Sequence, residues 1–399
     1  MDLARARYLV SAAGREALAG LPASLDARDP LRLATGLRKA YPPAEASALA
    51  EQVSLRAPAA ARGIEGMLLT AHGLEMMTHP IVAARRAARI AKAGLPVLDL
   101  TCGLGGDLRP AADLVARTAG LERDRVTAML AAANVPAALV AVGDATHPPF
   151  AIGSAAVLLD PSRRENGPRR FDPTAFSPPW HAAVALAEEA RVAVLKTAPG
   201  IEDRHIPAAA EAEFVQLGRS MREAALWFGE GTRAGLRRAV LLPGDVELTN
   251  DAPECAGEPV PPGEMAFDPE SCLTRAGLVR QLGALLGARL MDEQVAYLTA
   301  PALAFHPMAA TFAVLEVIPF GVARLRQRLR ERGWRPTEVR RRAFPVEPEE
   351  LLRMLGRIEG EPVTLLCTTL RGARTVIVGR RVEAPLMGRT AAEENCSGV

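Results

Sequence analysis

Lysine is nearly missing from this chain of 399 residues: Lys39, Lys92 and Lys196 are its only examples among 48 basic side chains. Arginine takes their place, an imbalance of the kind a GC-rich coding sequence produces. With a net charge of only +2, the arginine count alone is therefore no sign of RNA binding. The five cysteines are scattered and form no Cys-x-x-Cys pair, which argues against a disulfide framework or a zinc site. None of the six histidines stands at His-x-x-x-His spacing, so no metal centre is expected. Long apolar runs are also lacking: no stretch of about 18 uninterrupted apolar residues could cross a membrane. The start, Met-Asp-Leu-Ala-Arg-Ala-Arg, has no apolar region of the secretory kind, and a cytoplasmic location is expected.

What is present is ample apolar material. Hydrophobic residues make up 49% of the chain, enough for a sizeable core, and its length predicts two or three domains. The most informative segment is Val97-Leu-Asp-Leu-Thr-Cys-Gly-Leu-Gly-Gly-Asp107, read as a buried strand, a glycine turn and a helix start. Gly103, Gly105 and Gly106 let a backbone pass close under a ligand. A dinucleotide fingerprint would place a third glycine where Leu108 stands, and Asp107 puts negative charge where a diphosphate would lie. Asp99, at the strand end, suits a ligand carrying an ammonium and a sulfonium instead. A tight strand-to-helix connection with no ligand would use the same glycines.

The pattern Asp-x-x-x-Gly-x-Gly over Asp99 to Gly105 resembles motif I of the class I S-adenosylmethionine (SAM) dependent methyltransferases. Further acids fall at successive strand ends, where doubly wound sheets hold their ligands. Glu122 in Gly120-Leu-Glu-Arg-Asp124 is the candidate acceptor for the ribose hydroxyls, with Asp124 as fallback. Asp144 follows the run Ala137 to Val142, at the position that reads the adenine amino group. Asp160 follows Ala155 to Leu159 and opens Asp160-Pro161-Ser162-Arg163-Arg164. Any one of these acids has an alternative as a turn residue or helix cap. Four at successive strand ends, spaced by helix-length segments, are much harder to dismiss in that way.

Along the chain, residues 1–75 read as a helical region with breaks at Pro22, Pro30 and Pro42-Pro43. A helix over Met76 to Ala93 bears Arg85, Arg86 and Arg89, either as a solvated face or as a wall near the ligand. The methyltransferase-like sheet is assigned to 76–244, its later strands being Arg191 to Lys196, Glu213 to Leu217, Ala224 to Phe228 and Ala239 to Leu242. From Asp245 to Glu270 there are eight acids and no Lys or Arg, which predicts an exposed connection, followed by one amphipathic helix over Leu273 to Leu290. Residues 245–304 are thus read as linker and helix. Residues 305–385 read as a small α+β module: strand Thr311 to Ile318, basic helix Gly321 to Arg332, strand Thr337 to Phe344, helix Pro348 to Ile358, and strands Thr364 to Leu370 and Arg374 to Val378. Residues 386–399 read as a mobile tail.

Asp99 to Asp107, Leu159-Asp-Pro-Ser-Arg-Arg164, Lys196-Thr-Ala-Pro-Gly200 and Leu226-Trp-Phe-Gly229 together resemble a group of class I SAM-dependent methyltransferases with a C-terminal THUMP-like domain. Residues 305–385, preceded by Ala296-Tyr-Leu-Thr299, are similar to that domain. The resemblance implies an α/β fold: a Rossmann-like sheet with an N-terminal helical region and a small C-terminal α+β domain. It implies SAM as cofactor and, by analogy with true THUMP domains, RNA as partner, tRNA favoured. Asp99, Gly103, Gly105, Glu122 and Asp144 are the expected cofactor contacts. Asp160, Pro161, Arg163 and Lys196 are the expected catalytic set.

Many base-nitrogen methyltransferases carry Asn/Asp-Pro-Pro-aromatic after the fourth strand. Here Ser162 and Arg163 follow Asp160-Pro161, a departure that puts amino-group methylation in doubt. Asp160 remains a candidate to accept a proton or hydrogen bond from a nitrogen nucleophile, and Arg163 or Arg164 either grips a phosphate or pairs with a nearby acid. Ser177-Pro-Pro-Trp180 resembles a guanine-N2 methyltransferase signature but follows no apolar strand, so a helix start competes with a base platform there. Carbon-5 methylation of pyrimidines needs a cysteine nucleophile, and the only cysteine before residue 245 is Cys102 in the cofactor turn. Lys196 either contacts the substrate or caps the sheet by binding an acid. Nine arginines from Arg324 to Arg342, near Trp334 and Phe344, form either an RNA-facing surface or a solvated helix face. Methylation of a small molecule or protein, and SAM binding without catalysis in an RNA-binding protein, are the competing readings.

Overall fold

The computed structural model describes residues 1–22, 25, 29–163 and 176–384. The chain packs as two compact units, Met1–Asp245 and Val246–Val399. No helix among the described residues is long and apolar enough to cross a membrane.

Eight strands of the first unit share one sheet: β1 (Val97–Asp99), β2 (Thr118–Glu122), β3 (Leu139–Val142), β4 (Ala156–Leu159), β5 (Val192–Thr197), β6 (Glu211–Leu217), β7 (Ser220–Gly229) and β8 (Arg237–Leu242). Their order is β3-β2-β1-β4-β5-β7-β6-β8. Strands β1 to β5 are parallel, β7 runs antiparallel to both neighbours, and β8 is parallel to β6. The central strands β1 and β4 are buried along their whole length, as parallel strands covered on both faces must be. The chain order reverses between β1 and β4, which creates a crevice at the carboxyl ends of the strands.

The helix expected from Met76 begins at Pro80 and runs to Ala91. Proline has no N–H to lose at the first helical position, and its ring holds the preceding residue extended. His79 accordingly sits at φ −63°, ψ 133° and its ring accepts from Ile81 N–H. Val82, Ala83, Arg86, Ala87 and Ile90, spaced at helical intervals, form the buried face.

The N-terminal helices Leu3–Val10, Ala12–Gly20, Pro30–Leu37 and Pro43–Ala60 belong to the same compact unit as the sheet. Leu9, Leu49, Ile64 and Leu74 pack with Leu104 of the glycine turn and Leu130 of helix Arg125–Asn134. Two buried amides fasten this layer: Gln52 bonds both backbone groups of Leu69, and Asn134 bonds Leu68 and the carbonyl of Leu104. The glycine turn is thereby held from the N-terminal side.

The second unit carries a seven-stranded sheet: β9 (Met265–Pro269), β10 (Arg289–Asp292), β11 (Val295–Ala300), β12 (Ala309–Pro319), β13 (Trp334–Arg342), β14 (Glu361–Leu370) and β15 (Ala373–Val382), in the order β10-β11-β9-β12-β15-β14-β13. Helices Val322–Glu331 and Pro348–Leu355 pack on it through Leu325, Leu329, Leu351 and Leu355.

Two expectations fail between 245 and 304. The acidic connection contains strand Val246–Thr249 and ends in β9, every residue of which is buried. A charge average over the whole segment conceals the five residues Met-Ala-Phe-Asp-Pro that pair with β11 and β12. The single helix over Leu273 to Leu290 is instead two, Ser271–Ala276 and Val279–Leu286, followed by β10. Gly277 (φ 73°) and Gly287 (φ 61°) take the left-handed conformation that ends each helix. The predicted tail 386–399 lies outside the described residues.

Candidate active site

Each of the first four strands delivers an acid to the crevice. Asp99 ends β1 and accepts from Thr101 N–H (3.1 Å). Glu122 ends β2, and its two oxygens accept from Gly103 N–H (3.1 Å) and Asp124 N–H (2.7 Å), so it braces the glycine turn. Asp144, beyond β3, accepts from the N–H and hydroxyl of Thr146 in a tight turn. Asp160, directly after β4, is oriented by its own N–H, which donates to Thr101 Oγ1 (2.6 Å). Asp124, the alternative to Glu122, caps helix Arg125–Asn134 by accepting from Thr127 N–H and Oγ1.

Below these acids lies a buried chain of polar groups. Lys196 Nζ donates to Asp160 Oδ2 (2.5 Å) and to Thr78 Oγ1 (2.8 Å). Thr78 in turn donates to Asp107 Oδ2 (2.6 Å), and the Arg86 guanidinium bonds both Asp107 and Glu223. Burial works against the charge on Lys196, but Asp160, Asp107 and Glu223 outweigh it and raise the ammonium pKa above its ordinary value. Burial likewise opposes ionisation of Asp107, yet Arg86, Lys196 and Thr78 hold its pKa below the usual value. For Glu223 burial wins over the attraction of Arg86 and raises the carboxyl. Asp99 is pushed well above its ordinary value, first by burial and then by the charge of Asp107.

Apart from Glu223, these groups line a cleft of about 460 Å³, of a size suited to a small-molecule ligand. Asp99, Asp107, Glu122, Asp124, Asp144 and Asp160 face it against Arg86, Arg123 and Lys196. An excess of carboxylates, with Asp99 buried and in no ion pair among the described residues, fits a ligand bearing ammonium and sulfonium charges and opposes a diphosphate. Gly103 (φ 53°) lines the cleft. Gly105 is absent from that lining: it is buried at φ 93°, and a Cβ there would lie 2.7 Å from Val135 Cγ2.

The other sequence candidates are distributed as follows. Pro161 is buried behind the cleft lining. Ser162–Arg163 forms a two-residue ladder with Phe176–Ser177; the Arg163 side chain and all of Arg164 lie outside what is described. That ladder brings Ser177 and Pro178 to the cleft wall, although no apolar run precedes them in the sequence. Trp180 begins helix Trp180–Glu189, is buried, and packs on Phe176 (5.6 Å between rings), so it is no exposed base platform. Cys102 is buried under the turn, and burial with the charge of Asp99 pushes its thiol up, the opposite of an activated nucleophile.

Of the three arginines on helix Pro80–Ala91, Arg86 is the one in the cleft wall. Arg85 pairs with Glu213 and Asp245, and Arg89 pairs with Glu211 and Glu213 while lying 4.0 Å over the Trp227 ring. They form no solvated face. Sequence reasoning missed Thr78 and Glu223; Glu223 stands beside Arg222 at the head of the apolar run Ala224 to Phe228, where its sequence gives no sign that it is buried at 3% exposure.

Comparison with known proteins agrees with this architecture. A family model described as "THUMP domain-like" matches residues 309–381, and one for a domain of unknown function (DUF8688) matches 2–59. Uncharacterized S-adenosylmethionine-dependent methyltransferases of Mycobacterium tuberculosis, strains CDC 1551 and H37Rv, are 32% identical over 316 residues, covering 77% of this chain and 86% of theirs. A crystal structure from Porphyromonas gingivalis, named for methyltransferase activity, superimposes with a TM-score of 0.74 at 21% identity, over 96% of this chain and 98% of that one. At that identity the structure shows a shared fold, whereas the mycobacterial relatives show kinship: the chain belongs to the S-adenosylmethionine-dependent methyltransferases, of class I fold and with a THUMP-like domain at its C-terminus.

Proposed function

We propose that this enzyme methylates a nitrogen of a base in RNA, with tRNA the favoured substrate and the C-terminal domain as the docking element. The observation that carries the reading is the Asp160–Lys196 pair, joined at 2.5 Å at the ends of β4 and β5 inside the acid-lined cleft. Asp160 keeps 39% of its side-chain surface exposed, so it is open to a substrate from above while Lys196 holds it from below. A nitrogen nucleophile gives its lone pair to the methyl carbon and must shed a proton, and a fixed carboxylate beside it is suited to accept that proton. Lys196 Nζ, donating to Asp160 Oδ2, fixes the orientation of the carboxylate. When bound, SAM supplies an electrophilic methyl group on its sulfonium.

For the cofactor, Glu122 is assigned to the ribose hydroxyls, Asp144 to the adenine amino group and Asp99 to the ammonium, with Gly103 allowing close backbone approach. The RNA part of the reading is supported by the THUMP domain-like match and by exposed Arg324, Arg330 and Arg335 on that domain. A cysteine-based route is disfavoured by the buried state of Cys102.

The test is transfer of labelled methyl from SAM into separate RNA, protein and small-molecule pools from cells lacking the gene. Label is expected in RNA, and Asp160→Asn should lower it by roughly a hundredfold or more, the contribution typical of a positioned general base. Label confined to protein or small molecules would overturn the RNA reading; full activity in the Asn variant would remove Asp160 from the chemistry.

A further inference from the structure

We propose that Thr78, on the segment that joins the N-terminal helices to helix Pro80–Ala91, is the positioning residue that aims the Lys196 ammonium at Asp160. The inference rests on the reading of Asp160 and Lys196 given above, but it concerns a group that neither motif I nor the strand ends contain.

The argument comes from donor and acceptor accounting. Asp107 is bonded by Arg86, so its carboxylate can only accept; an ammonium can only donate. A threonine hydroxyl placed between them has one proton and must spend it on Asp107, 2.6 Å away, which leaves its lone pairs turned to Lys196 Nζ at 2.8 Å. The rotor therefore has a single allowed setting. Lys196 is fixed by two acceptors, Thr78 Oγ1 and Asp160 Oδ2, rather than by the carboxylate alone.

Thr78 is itself only 8% exposed, so water does not readily substitute for it. The backbone around it is held as well: Arg62 donates to the carbonyls of Leu74 and Met77, and Met77 packs where a side chain on Gly106 would lie. The N-terminal helical layer thus reaches the reacting end of the cleft through one hydroxyl. The charged groups that act on Lys196 are Asp160, Asp107 and Glu223, which favour its ammonium, and Arg86, which opposes it.

The scarcity of lysine makes the test direct. In full-length protein labelled with [15N]lysine only three side-chain ammonium signals arise, and Lys39→Arg and Lys92→Arg assign them. Thr78→Val keeps shape and burial but removes the acceptor; Thr78→Ser restores it. In the Val variant the Lys196 midpoint should fall by about one pH unit or more, the size of one hydrogen bond to a charged group. In the Ser variant it should stay near wild type. Turnover at pH 8 should fall about tenfold in Val with KM for SAM within about twofold, and recover in Ser. A folded Val variant with the wild-type Lys196 midpoint and turnover overturns the proposal. Absence of methyl transfer to RNA by the wild type would instead overturn the substrate reading, and the titration, which needs no substrate, would still decide the role of Thr78.

Discussion

The carboxyl ends of β1 to β5 and the arginine-rich stretch 324–342 handle charge in opposite ways. In the cleft, carboxylates outnumber cations, and Asp99 is buried with no ion-pair partner among the described residues. In the stretch 324–342, positive charge is abundant in sequence but largely answered in space. Arg340 and Arg342 both bond Asp268, Arg341 pairs with Glu347, and Arg328 and Arg332 share Glu316. Arg326 is spent on the carbonyls of Met354 and Leu355. Phe344 is buried edge-on against Phe320, and Trp334 is half-buried, so neither is an open stacking platform. A ligand site is marked by charge left without a partner, and a list of charged residues does not reveal which those are. Arg324 and Arg330, like Arg335, are exposed and have no ion-pair partner among the described residues.

Three experiments bear on this contrast. The largest effect is expected at Arg86, 5% exposed between Asp107 and Glu223. Arg86→Met strands buried carboxylates and should cost about 3–5 kcal/mol in urea unfolding, while Arg328→Met, in a half-exposed pair, should shift the urea midpoint little. Equal costs would erase the difference between the two regions. Next comes Glu122→Ala, which should weaken SAM binding about ten- to a hundredfold by calorimetry, from a loss of about 1.5–3 kcal/mol. Asp124→Ala should leave SAM affinity nearly unchanged and reduce stability by about 1 kcal/mol through the lost helix cap; the reverse pattern would exchange their roles. The smallest effect belongs to the second unit. Replacing Arg324 and Arg330 together by Ala should make the salt dependence of RNA affinity shallower by about one to two in log–log slope, whereas Arg328→Ala should not change it.

Much of the sheet was legible because each parallel strand is a short apolar run ended by a polar residue. The expected fifth strand, Arg191 to Lys196, is Val192–Thr197, and Ala224 to Phe228 forms the buried heart of β7. The strands of the C-terminal domain between 305 and 385 fall within a few residues of their expected bounds. Legibility failed where composition was averaged, as at β9, or where one glycine decided the outcome, as at Gly277. It failed again at Ser177 and Pro178, which reach the cleft through a ladder with Ser162–Arg163 that no local pattern announces.

By itself the sequence determined the fold class, the glycine turn and the order of acids at the strand ends, because these depend on local periodicity and on residues a few positions apart. The tertiary structure alone decided which charges are satisfied. Thr78 meets Asp107 across 29 positions, Lys196 meets Thr78 across 118, and Arg86 meets Glu223 across 137. Such partners are chosen by packing, since the cost of burying a charge is offset only by the group that the fold happens to bring against it.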